Sequence, residues 1–442
     1  MAQRHCRISR RFFLKKAAAT VAVPYMMPSV ASGNGRAPSN RITMGLIGLG
    51  SMGMRHVKGF LQEDSCRILA VCDVDAGRRA EAVRQVNQHY GNGDCARYND
   101  FQDLTARDDI DTLCISVPDH WHSICAITGI RAGKDIYGEK PLALTIAEGQ
   151  AMVEAVRRYN RVWQTGSWQR STSHFRFACE LVRNERIGKL QGVEVGIGHG
   201  YKPGPGEPTA FRIDPQPGTC VPEGFDYEMW LGPAPWAPYT EKRCHWNFRW
   251  ILDYSGGQVT DWGAHHIDIA HWGMGCDDTG PVEVAGKGVF PEDGLWDAAV
   301  DYDFKCKYEN GVTMCVGSNN YYPQGIRFIG QRGWIHVTRG GLDAHPKRLL
   351  KERIGPEELH LSRPSGDNRQ GHRRDFLDCV KTRAQTISPI EVGHRSVIVA
   401  HLGNIAMLLG RKIRWSPERE QIIGDSTASR MLSKAMRSPW RL

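Results

Sequence analysis

The sequence lacks any apolar run that approaches the roughly 18–20 residues needed for a membrane-spanning helix. It also lacks internal repeats and low-complexity tracts, which argues against solenoid and fibrous architectures. Hydrophobic residues make up 41% and charged residues 24% of the 442 residues, as is typical of globular proteins. We therefore expect a globular chain of two or three domains without stable membrane insertion.

Closely spaced cysteine motifs are also absent, although the chain has 13 cysteines. None forms a Cys-x-x-Cys pair, and several, such as Cys72, Cys114 and Cys315, stand in apolar runs. A buried thiol behaves as a small hydrophobic side chain. The pattern therefore predicts neither a structural zinc site nor a required disulfide.

The first 31 residues contain no acidic residue and six Lys or Arg, which account for most of the net charge of +9. Residues 9–15 read Ser-Arg-Arg-Phe-Phe-Leu-Lys, an alanine-rich stretch follows at 17–23, and Ser-Val-Ala at 29–31 is typical of a cleavage site. The pattern resembles a twin-arginine signal peptide over residues 1–31; a disordered basic tail is the alternative. We expect cytoplasmic folding, then export by the twin-arginine machinery to the periplasm or another extracytoplasmic location. The rest of the chain carries a net charge of +3, which is too small to indicate nucleic acid binding.

An alternation of strands and helices begins after residues 32–41, which are typical of a linker. Strands that alternate with helices predict a parallel sheet covered on both faces, here a Rossmann domain over residues 42–166. Apolar strand-like runs occur at 42–47, 68–72, 112–117, 135–137 and 162–165, and helix-like stretches occur at 76–90, 123–132 and 146–159.

Residues 167–415 have a different pattern. A Pro- and Gly-rich loop at 203–238 is unusually long and is a candidate binding element. Strand-like runs flank Asn310-Gly311, a strong hairpin signal, and a last helix is predicted at 396–409. We predict a second α/β domain with a predominantly antiparallel, open sheet, followed by a polar C-terminal tail at 416–442.

The segment Gly48-Leu49-Gly50-Ser51-Met52-Gly53 follows the first predicted strand and opens a helix. The first glycine permits a tight turn, the second lets the backbone approach a pyrophosphate, and the third allows close helix–strand contact. Asp73 ends the second strand, where an acid binds the ribose hydroxyls of an adenosine. The predicted cofactor is NAD. NADP is the alternative, because Arg78 and Arg79 are close enough in sequence to meet its 2′-phosphate. The predicted contacts here are Gly48, Gly50, Ser51, Met52, Gly53 and Asp73.

Two further loops follow predicted strands at the same edge of the sheet. In the first, Pro118 and His122 are candidate cofactor contacts, and a purely structural role at a helix start is the alternative for His122. In the second, Glu139 and Lys140 are also candidate cofactor contacts. Pro141 disfavours helical geometry at Lys140. A lysine held extended there can stabilise the oxygen that becomes alkoxide-like as hydride leaves.

Residues 256–268 carry the strongest signal of the second domain, because Asp261 and His265 are four residues apart. If one helix spans both, they share a face, and the carboxylate raises the basicity of the imidazole. We predict His265 as proton acceptor, Asp261 as its partner, and Trp262 and His266 as substrate contacts. A helix cap beside a surface histidine is one alternative, and a metal site among the nearby histidines is another. We predict no metal, because no cysteine or distant ligand is implicated.

Together these motifs resemble the glucose-fructose oxidoreductase, inositol dehydrogenase and MocA (Gfo/Idh/MocA) family over roughly residues 41–415. The glycine motif, the 139–141 motif and the Asp261-x-x-x-His265 pair occur in the family's order. The resemblance implies that Lys140, Asp261 and His265 form the catalytic trio. It also implies that Arg170, in a segment that begins the family's second domain, lies near the substrate.

The resemblance further implies a homo-oligomer, a dimer or tetramer, because the open sheet of the family often mediates assembly. One departure is Asp119, which stands where many members have Asn. Tryptophans concentrate around the long loop and the Asp261–His265 pair, and indole faces can stack on sugars. These tryptophans are Trp230, Trp236, Trp246, Trp250 and Trp262.

The leading interpretation is an NAD(P)-dependent oxidoreductase that oxidises or reduces a CHOH or C=O group of a sugar, sugar derivative or cyclitol. Export would separate the enzyme from the cytoplasmic cofactor pool, so the cofactor is expected to be tightly bound. The alternative is a redox-neutral glycoside hydrolase or lyase that works through a transient keto-sugar. A third hypothesis is a non-catalytic sensor, against which the intact trio of Lys140, Asp261 and His265 argues.

Overall fold

The computed structural model describes residues 40–200 and 218–442. The predicted signal peptide lies outside the described residues, as do nearly all of the predicted linker and the first part of the long loop. Residues Arg41–Leu442 form one compact unit.

The first sheet consists of β1 (Ile42–Ile47), β2 (Cys66–Cys72), β3 (Ala96–Tyr98), β4 (Thr112–Ile115), β5 (Asp135–Gly138) and β6 (Trp163–Thr165). All neighbours are parallel, in the spatial order β3-β2-β1-β4-β5-β6. This is the order of dinucleotide-binding sheets, and it opens a crevice at the carboxyl ends of β1 and β4. The strand β3 was not predicted, because three residues, Ala-Arg-Tyr, are too short for a periodic signal.

Helices cover this sheet and are closed by local side-chain signals. Asp75 caps one of them by accepting a hydrogen bond from the backbone N–H of Arg78 at 3.1 Å, and Gly91 ends it with a φ of 68°. This helix and the one that follows β5 have the predicted bounds. The helices are α1 (Ser51–Phe60), α2 (Ala76–Tyr90), α3 (Phe101–Thr105), α4 (Asp119–Arg131) and α5 (Ile146–Tyr159).

The second sheet has nine described strands, and all but one of its strand pairs are antiparallel. The strands are β7 (Leu190–Gly196), β8 (Glu283–Val289), β9 (Asp301–Lys307), β10 (Thr313–Gly317), β11 (Gly325–Gly330), β12 (Gly333–Thr338), β13 (Gly341–His345), β14 (Ile413–Ser416) and β15 (Gln421–Ile422). The exception is the parallel pair β7–β10. The predicted hairpin joins β9 and β10 through Gly311, whose φ is 85°. The predicted fold class is therefore confirmed.

Helices of the second domain pack against one face of this sheet and supply the largest core cluster. The longest is apolar enough to meet the length and composition criteria for a membrane span, yet 78% of it is buried inside the protein. Its Gly403 lies directly on the ring of Phe304 in β9. The helices are α6 (Ser173–Arg183), α7 (Tyr227–Leu231), α8 (Gly257–Asp261), α9 (Gly263–Met274), α10 (Asn368–Thr382), α11 (Ile390–Leu409) and α12 (Ser426–Arg430).

The last residues return to the first domain, which differs from the polar tail expected at 416–442. The ring of Trp440 lies 4.7 Å from that of Trp121 in α4, edge to face. The Nε of Arg437 donates a hydrogen bond of 3.0 Å to the backbone carbonyl of Gly232. Burial of an indole and capture of a free carbonyl both favour this docking.

Candidate active site

A cavity of about 460 Å³ lies at the carboxyl ends of the parallel strands, where the two domains meet. One end is lined by the glycine turn and Asp73, and the other by Lys140, Asp261 and His265. The sequence-predicted residues that line it are Gly48, Gly50, Ser51, Met52, Asp73, Pro118, Glu139, Lys140, Asp261, Trp262 and His265. One cavity thus joins the predicted cofactor turn to the predicted catalytic residues.

The glycine turn has the close contacts that its sequence predicts. Gly48 has a φ of 87°, and a Cβ there would lie 2.5 Å from the carbonyl oxygen of Ser116. A Cβ on Gly53 would lie 1.9 Å from the carbonyl oxygen of Gly48, so Gly53 serves helix–strand packing. The nearest atom to a Cβ on Gly50 is Nη1 of Arg78, at 3.5 Å. The backbone at Gly50 is therefore open to the cavity, as a bound pyrophosphate requires.

Asp73 is held at the end of β2 by two backbone amides. Its Oδ2 accepts from Leu49 N at 2.6 Å and its Oδ1 from Asp75 N at 2.9 Å. Burial raises the pKa of Asp73, and the hydrogen bond from Leu49 and the charge of Arg78 oppose that rise. The carboxylate lines the cavity where an adenosine ribose would lie.

Arg78 and Arg79, the two arginines that could bind the 2′-phosphate of NADP, lie in different places. Arg78 lines the cavity, and its Nη2 lies 2.6 Å from Nδ1 of His245. Arg79 instead donates to the carbonyl oxygen of Asp73 and, at 2.9 Å, to Oδ1 of Asn99. Only Arg78 of this pair is placed to meet a ribose phosphate.

His122, a predicted cofactor contact, does not line the cavity. Its Nδ1 lies 2.7 Å from the carbonyl oxygen of Pro141, and its Nε2 lies 2.9 Å from that of Val117. Both ring nitrogens are therefore used by backbone carbonyls, and the buried ring ties the start of α4 to the loop after β5. The alternative structural role is the one that the geometry supports.

Asp119, the residue that departs from the family pattern, is buried beside the cavity. Its Oδ2 accepts a hydrogen bond of 2.6 Å from the hydroxyl of Ser255. Burial raises the pKa of Asp119, and the hydrogen bond from Ser255 and the charge of Arg249 oppose that rise.

Glu139 anchors the backbone that carries Lys140. The ring nitrogen Nε2 of His56 lies 2.8 Å from its Oε1, and the backbone N–H of Lys140 donates to its Oε2 at 3.3 Å. Burial raises the pKa of Glu139, but the hydrogen bond from His56 and the charge of Lys140 outweigh burial and leave the pKa lowered. An ionised Glu139 thus fixes the start of the lysine loop.

Lys140 and Asp261 form an ion pair inside the cavity. The Nζ of Lys140 donates to Oδ1 of Asp261 and, at 3.1 Å, to its backbone carbonyl. The Nε of Arg249 lies 3.4 Å from the other carboxylate oxygen. Burial raises the pKa of Asp261, but both cations outweigh burial and hold it below its ordinary value. Asp261 is therefore a carboxylate that positions Lys140.

Among the described residues, no hydrogen bond joins Asp261 to His265, its predicted partner. Asp261 ends α8, and His265 lies in the next helix, α9, so one helix does not span both. The carboxylate turns instead to its two cationic neighbours, and Nδ1 of His265 has no hydrogen-bond partner among the described residues. Burial and the charges of Lys140 and Arg339 hold the pKa of His265 well below its ordinary value. The imidazole is therefore neutral at neutral pH.

Two predicted substrate contacts, Arg170 and His266, lie outside the cavity. Arg170 is fully buried, where its guanidinium binds Asp268 at 2.9 Å and Asp277 at 2.7 Å. His266 is buried against the second sheet, with Nδ1 3.0 Å from the carbonyl oxygen of Gly196. In this structure both side chains are bound within the core, and their contact with substrate stays a prediction.

Tryptophans do line the cavity, but only some of the predicted cluster. Trp230, Trp246 and Trp262 are part of its wall, and Trp246, 58% exposed, stands over Arg249 with 4.1 Å from the guanidinium carbon to the ring centre. Trp250 is buried in a separate aromatic core, and Trp236 is exposed outside the cavity. The long loop contributes to the wall through Trp230.

Sequence reasoning missed several cavity residues, among them Trp168, Arg339 and Arg369. The two guanidinium carbons lie 4.8 Å and 4.5 Å from the centre of the Trp168 ring. The arginines follow β12 and begin α10, far from any recognised motif, and no pattern in the sequence marks them. The family-like segment at 164–170 does contain Trp168, which was a usable signal.

No group of three or more His, Cys, Asp or Glu residues within 40–200 and 218–442 is arranged to hold a metal ion. The twelve cysteines of these ranges are free thiols, and most are buried.

Sequence profiles of one oxidoreductase family match most of the chain. The NAD-binding Rossmann-fold profile matches residues 42–167, and the C-terminal α/β-domain profile matches residues 212–442. Both carry the designation Gfo/Idh/MocA, and together they cover the first domain and most of the second, with residues 168–211 unmatched.

Among curated proteins, the chain is similar to a glycosyl hydrolase family 109 protein of Shewanella pealeana, with 37% identity over 121 residues. This match spans only 26% of either chain.

Two solved structures share the fold over most of their length. One is aldose-aldose oxidoreductase from Caulobacter crescentus, with a TM-score of 0.60, 20% identity and coverage of 85% of this chain and 99% of that one. The other is WlbA dehydrogenase from Bordetella pertussis in complex with NADH and UDP-GlcNAcA, with a TM-score of 0.60, 16% identity and coverage of 85% and 99%.

Proposed function

This chain belongs to the Gfo/Idh/MocA oxidoreductase family, and on that premise we propose that it oxidises or reduces a CHOH or C=O group of a sugar, sugar derivative or cyclitol. The observation that carries the proposal is the single cavity that joins Gly50 and Asp73 to Lys140 and His265. A cofactor turn and a proton acceptor must share one space if hydride and proton are to leave the same carbinol.

His265 is the proposed proton acceptor. Burial and the surrounding cations keep the imidazole neutral, so it can take a hydroxyl proton at neutral pH. When bound, the nicotinamide supplies the hydride acceptor. Lys140, oriented by Asp261, stabilises the negative charge that develops on the substrate oxygen.

We propose NAD as the resident cofactor and tight binding as the mode. The Asp73 carboxylate disfavours a 2′-phosphate, whereas Arg78 beside it would favour one. Binding of NAD and of NADP should therefore both be measured. Tight binding follows from the proposed export, because an exported enzyme cannot draw on the cytoplasmic pool. Gel-filtered protein that contains no nucleotide would contradict tight binding.

The test is turnover of a panel of sugars, polyols and aryl glycosides, with absorbance at 340 nm and glycoside cleavage followed together.

Lys140→Met and His265→Asn are each expected to lower kcat by about 100- to 10,000-fold, because each removes a group that acts on the reacting oxygen. NADH affinity should change little in His265→Asn. The matched controls are Lys58→Met and His89→Asn, whose side chains are exposed on α1 and α2. Full activity in both catalytic variants would refute the assignment.

The similarity to a protein named glycosyl hydrolase family 109 favours a second candidate, a redox-neutral glycoside hydrolase or lyase. Transient oxidation to a keto-sugar acidifies the neighbouring C–H, a leaving group departs, and the hydride returns to the sugar. Cleavage of an aryl glycoside without lasting absorbance at 340 nm, lost in the same two variants, would select this reaction. A lasting rise in absorbance with a free sugar would select the dehydrogenase.

We also propose that residues 1–31 direct export after folding. The paired arginines Arg10 and Arg11 are the feature that the receptor would read. Changing both to lysine should retain the protein in the cytoplasm, as measured by cell fractionation, whereas changing Arg4 and Arg7 to lysine should not. Export of the Arg10→Lys, Arg11→Lys variant would contradict the proposal.

A further inference from the structure

Two guanidinium groups lie at the catalytic end of the cavity without an acidic partner in the described ranges. Both Arg339 and Arg369 line the cavity, and neither forms an ion pair with a carboxylate of residues 40–200 or 218–442. The Nη2 of Arg339 and the Nε of Arg369 are buried and have no hydrogen-bond partner there. Burial of unpaired donors on a cation costs free energy that an anionic ligand would recover.

Both carboxylates of the cavity at this end already have partners, because Glu139 is held by His56 and the backbone N–H of Lys140 and Asp261 is held by two cations. Asp261 binds Lys140 and Arg249, so its charge is matched before the two free arginines are counted. The catalytic end therefore carries a net positive charge.

The arginines are held rigidly. The guanidinium carbon of Arg339 lies 4.8 Å from the ring centre of Trp168 and 4.3 Å from that of Trp262, and its Nε donates to Oε1 of Gln169 at 2.9 Å. Arg369 lies 4.5 Å from the same Trp168 ring. Stacked guanidinium groups keep their N–H edges free, which is the geometry that binds carboxylate or phosphate oxygens.

These groups lie beside the proposed proton acceptor. The ring centres of Trp168 and Trp262 are 6.4 Å and 6.2 Å from that of His265. A cofactor pyrophosphate would instead lie at Gly50 and the start of α1. The free charges are thus placed for the substrate.

We propose that the substrate is an anionic sugar, with a carboxylate or phosphate that binds Arg339 and Arg369 while its reacting CHOH group faces Lys140 and His265. The inference rests on the proposed function, because it names the substrate class of that same site. Charge-assisted hydrogen bonds from two arginines should improve binding of an anionic sugar on the order of 10- to 100-fold over its neutral counterpart.

The experiment compares matched probes on NADH-loaded protein. The probes are methyl glycosides of glucuronic, galacturonic and mannuronic acid, the corresponding neutral methyl hexosides, and the hexose 6-phosphates. Binding is measured by quenching of tryptophan fluorescence, which needs no turnover, and oxidation is then measured at 340 nm with NAD. The variants are Arg339→Gln, Arg369→Gln and the charge-conserving Arg339→Lys, each checked by thermal melting. The control is Arg67→Gln, an exposed arginine 5.5 Å from the Tyr90 ring centre.

The expected result is preferential binding of one anionic series, lost in both glutamine variants, retained in part by Arg339→Lys, and unchanged in the control. The uronides and the phosphates distinguish the two sources of negative charge. Equal binding of neutral and anionic probes by the wild type would overturn the inference. So would a loss of NADH affinity in the glutamine variants with the sugar preference intact. Arginine-dependent binding of an anionic sugar without turnover would support the inference and count against the proposed function.

Discussion

His265 is a buried imidazole in a field of positive charge, and this setting decides its chemistry. Burial, Lys140, Arg339 and Arg369 all lower its pKa. The neutral ring that results accepts a proton without first having to lose one. The cost is a weaker base, which Lys140 offsets by stabilising the oxygen that gives up the proton.

The pH profile of kcat/KM should report the lowered pKa of His265 directly. Activity requires neutral His265, so the rate falls as pH drops through its pKa. In the wild type this acidic limb should lie well below pH 6.5, the ordinary value for histidine. Arg339→Gln removes one of the charges that lower the pKa, so the limb should move to higher pH, while Arg67→Gln should leave it in place. An acidic limb at or above pH 6.5 in the wild type would contradict the account.

Residue-level prediction from sequence succeeded where a motif is local and failed where partners come from elsewhere in the chain. The glycine turn, Asp73 and Lys140 follow strands that the apolar pattern marks. The Asp261–His265 pairing failed because spacing alone does not show that one helix ends at Asp261 or that Lys140 and Arg249 lie nearer to its carboxylate.

At the scale of elements, α9 places His265 through core contacts that begin three residues farther along the same helix. Arg170, in the short helix that follows β6, binds Asp268 of α9 and Asp277 just beyond it. The guanidinium carbon also lies 5.1 Å from the ring centre of Trp272. Burial raises the pKa of Asp268 to about 6, even with the opposing charge of Arg170. The pair thus sets the position of the helix that carries His265.

Arg170→Met should therefore destabilise the fold, because it leaves Asp268 buried without its cation. We expect a loss of about 3–5 kcal/mol in the free energy of unfolding, measured by urea denaturation at pH 7. Lys347→Met, which breaks the exposed pair with Asp343, should leave the free energy of unfolding almost unchanged. A stable Arg170→Met protein with a raised KM alone would support the prediction of substrate contact.

The strand and helix pattern was largely predictable because most elements of the first domain are continuous apolar runs or well-capped helices. The predicted bounds of β1, α2 and α5 match the structure. The short strand β3 and the helix α10 were missed. Only three residues form β3, and α10 is mainly polar, so neither gives a clear apolar periodicity.

At the scale of the whole molecule, the site is assembled from segments that are distant in sequence. Arg339 and Arg369 come some 170 and 200 residues after Trp168, and only the packing of α10 and the second sheet onto the first domain brings them together. No local spacing could have placed them. The predicted dimer or tetramer also depends on surfaces that a sequence does not describe, and it stays a prediction.

Stability of the whole fold should fall as pH drops from about 6.5 to about 4. Burial lowers the pKa of five histidines to about 4, namely His120, His266, His271, His372 and His401. Between the two values the unfolded chain binds protons that the folded chain does not, so falling pH favours unfolding. Buried carboxyls oppose the trend, because burial raises the pKa of Glu148 to about 7 and those of Asp268 and Asp375 to about 6, and it also raises those of Asp73, Asp119 and Asp297.

The buried histidines with a lowered pKa outnumber the buried carboxyls with a raised one, so the net effect between pH 7 and pH 5 is destabilising. The measurement is the free energy of unfolding by urea at pH 7, 6 and 5. His401→Gln removes one of the titrating groups and should make the pH dependence shallower by about one proton, whereas the exposed His89→Gln should not change it. Stability that is flat from pH 7 to 5 would show that the buried histidines are already charged in the folded protein, and would also remove the basis for a neutral His265.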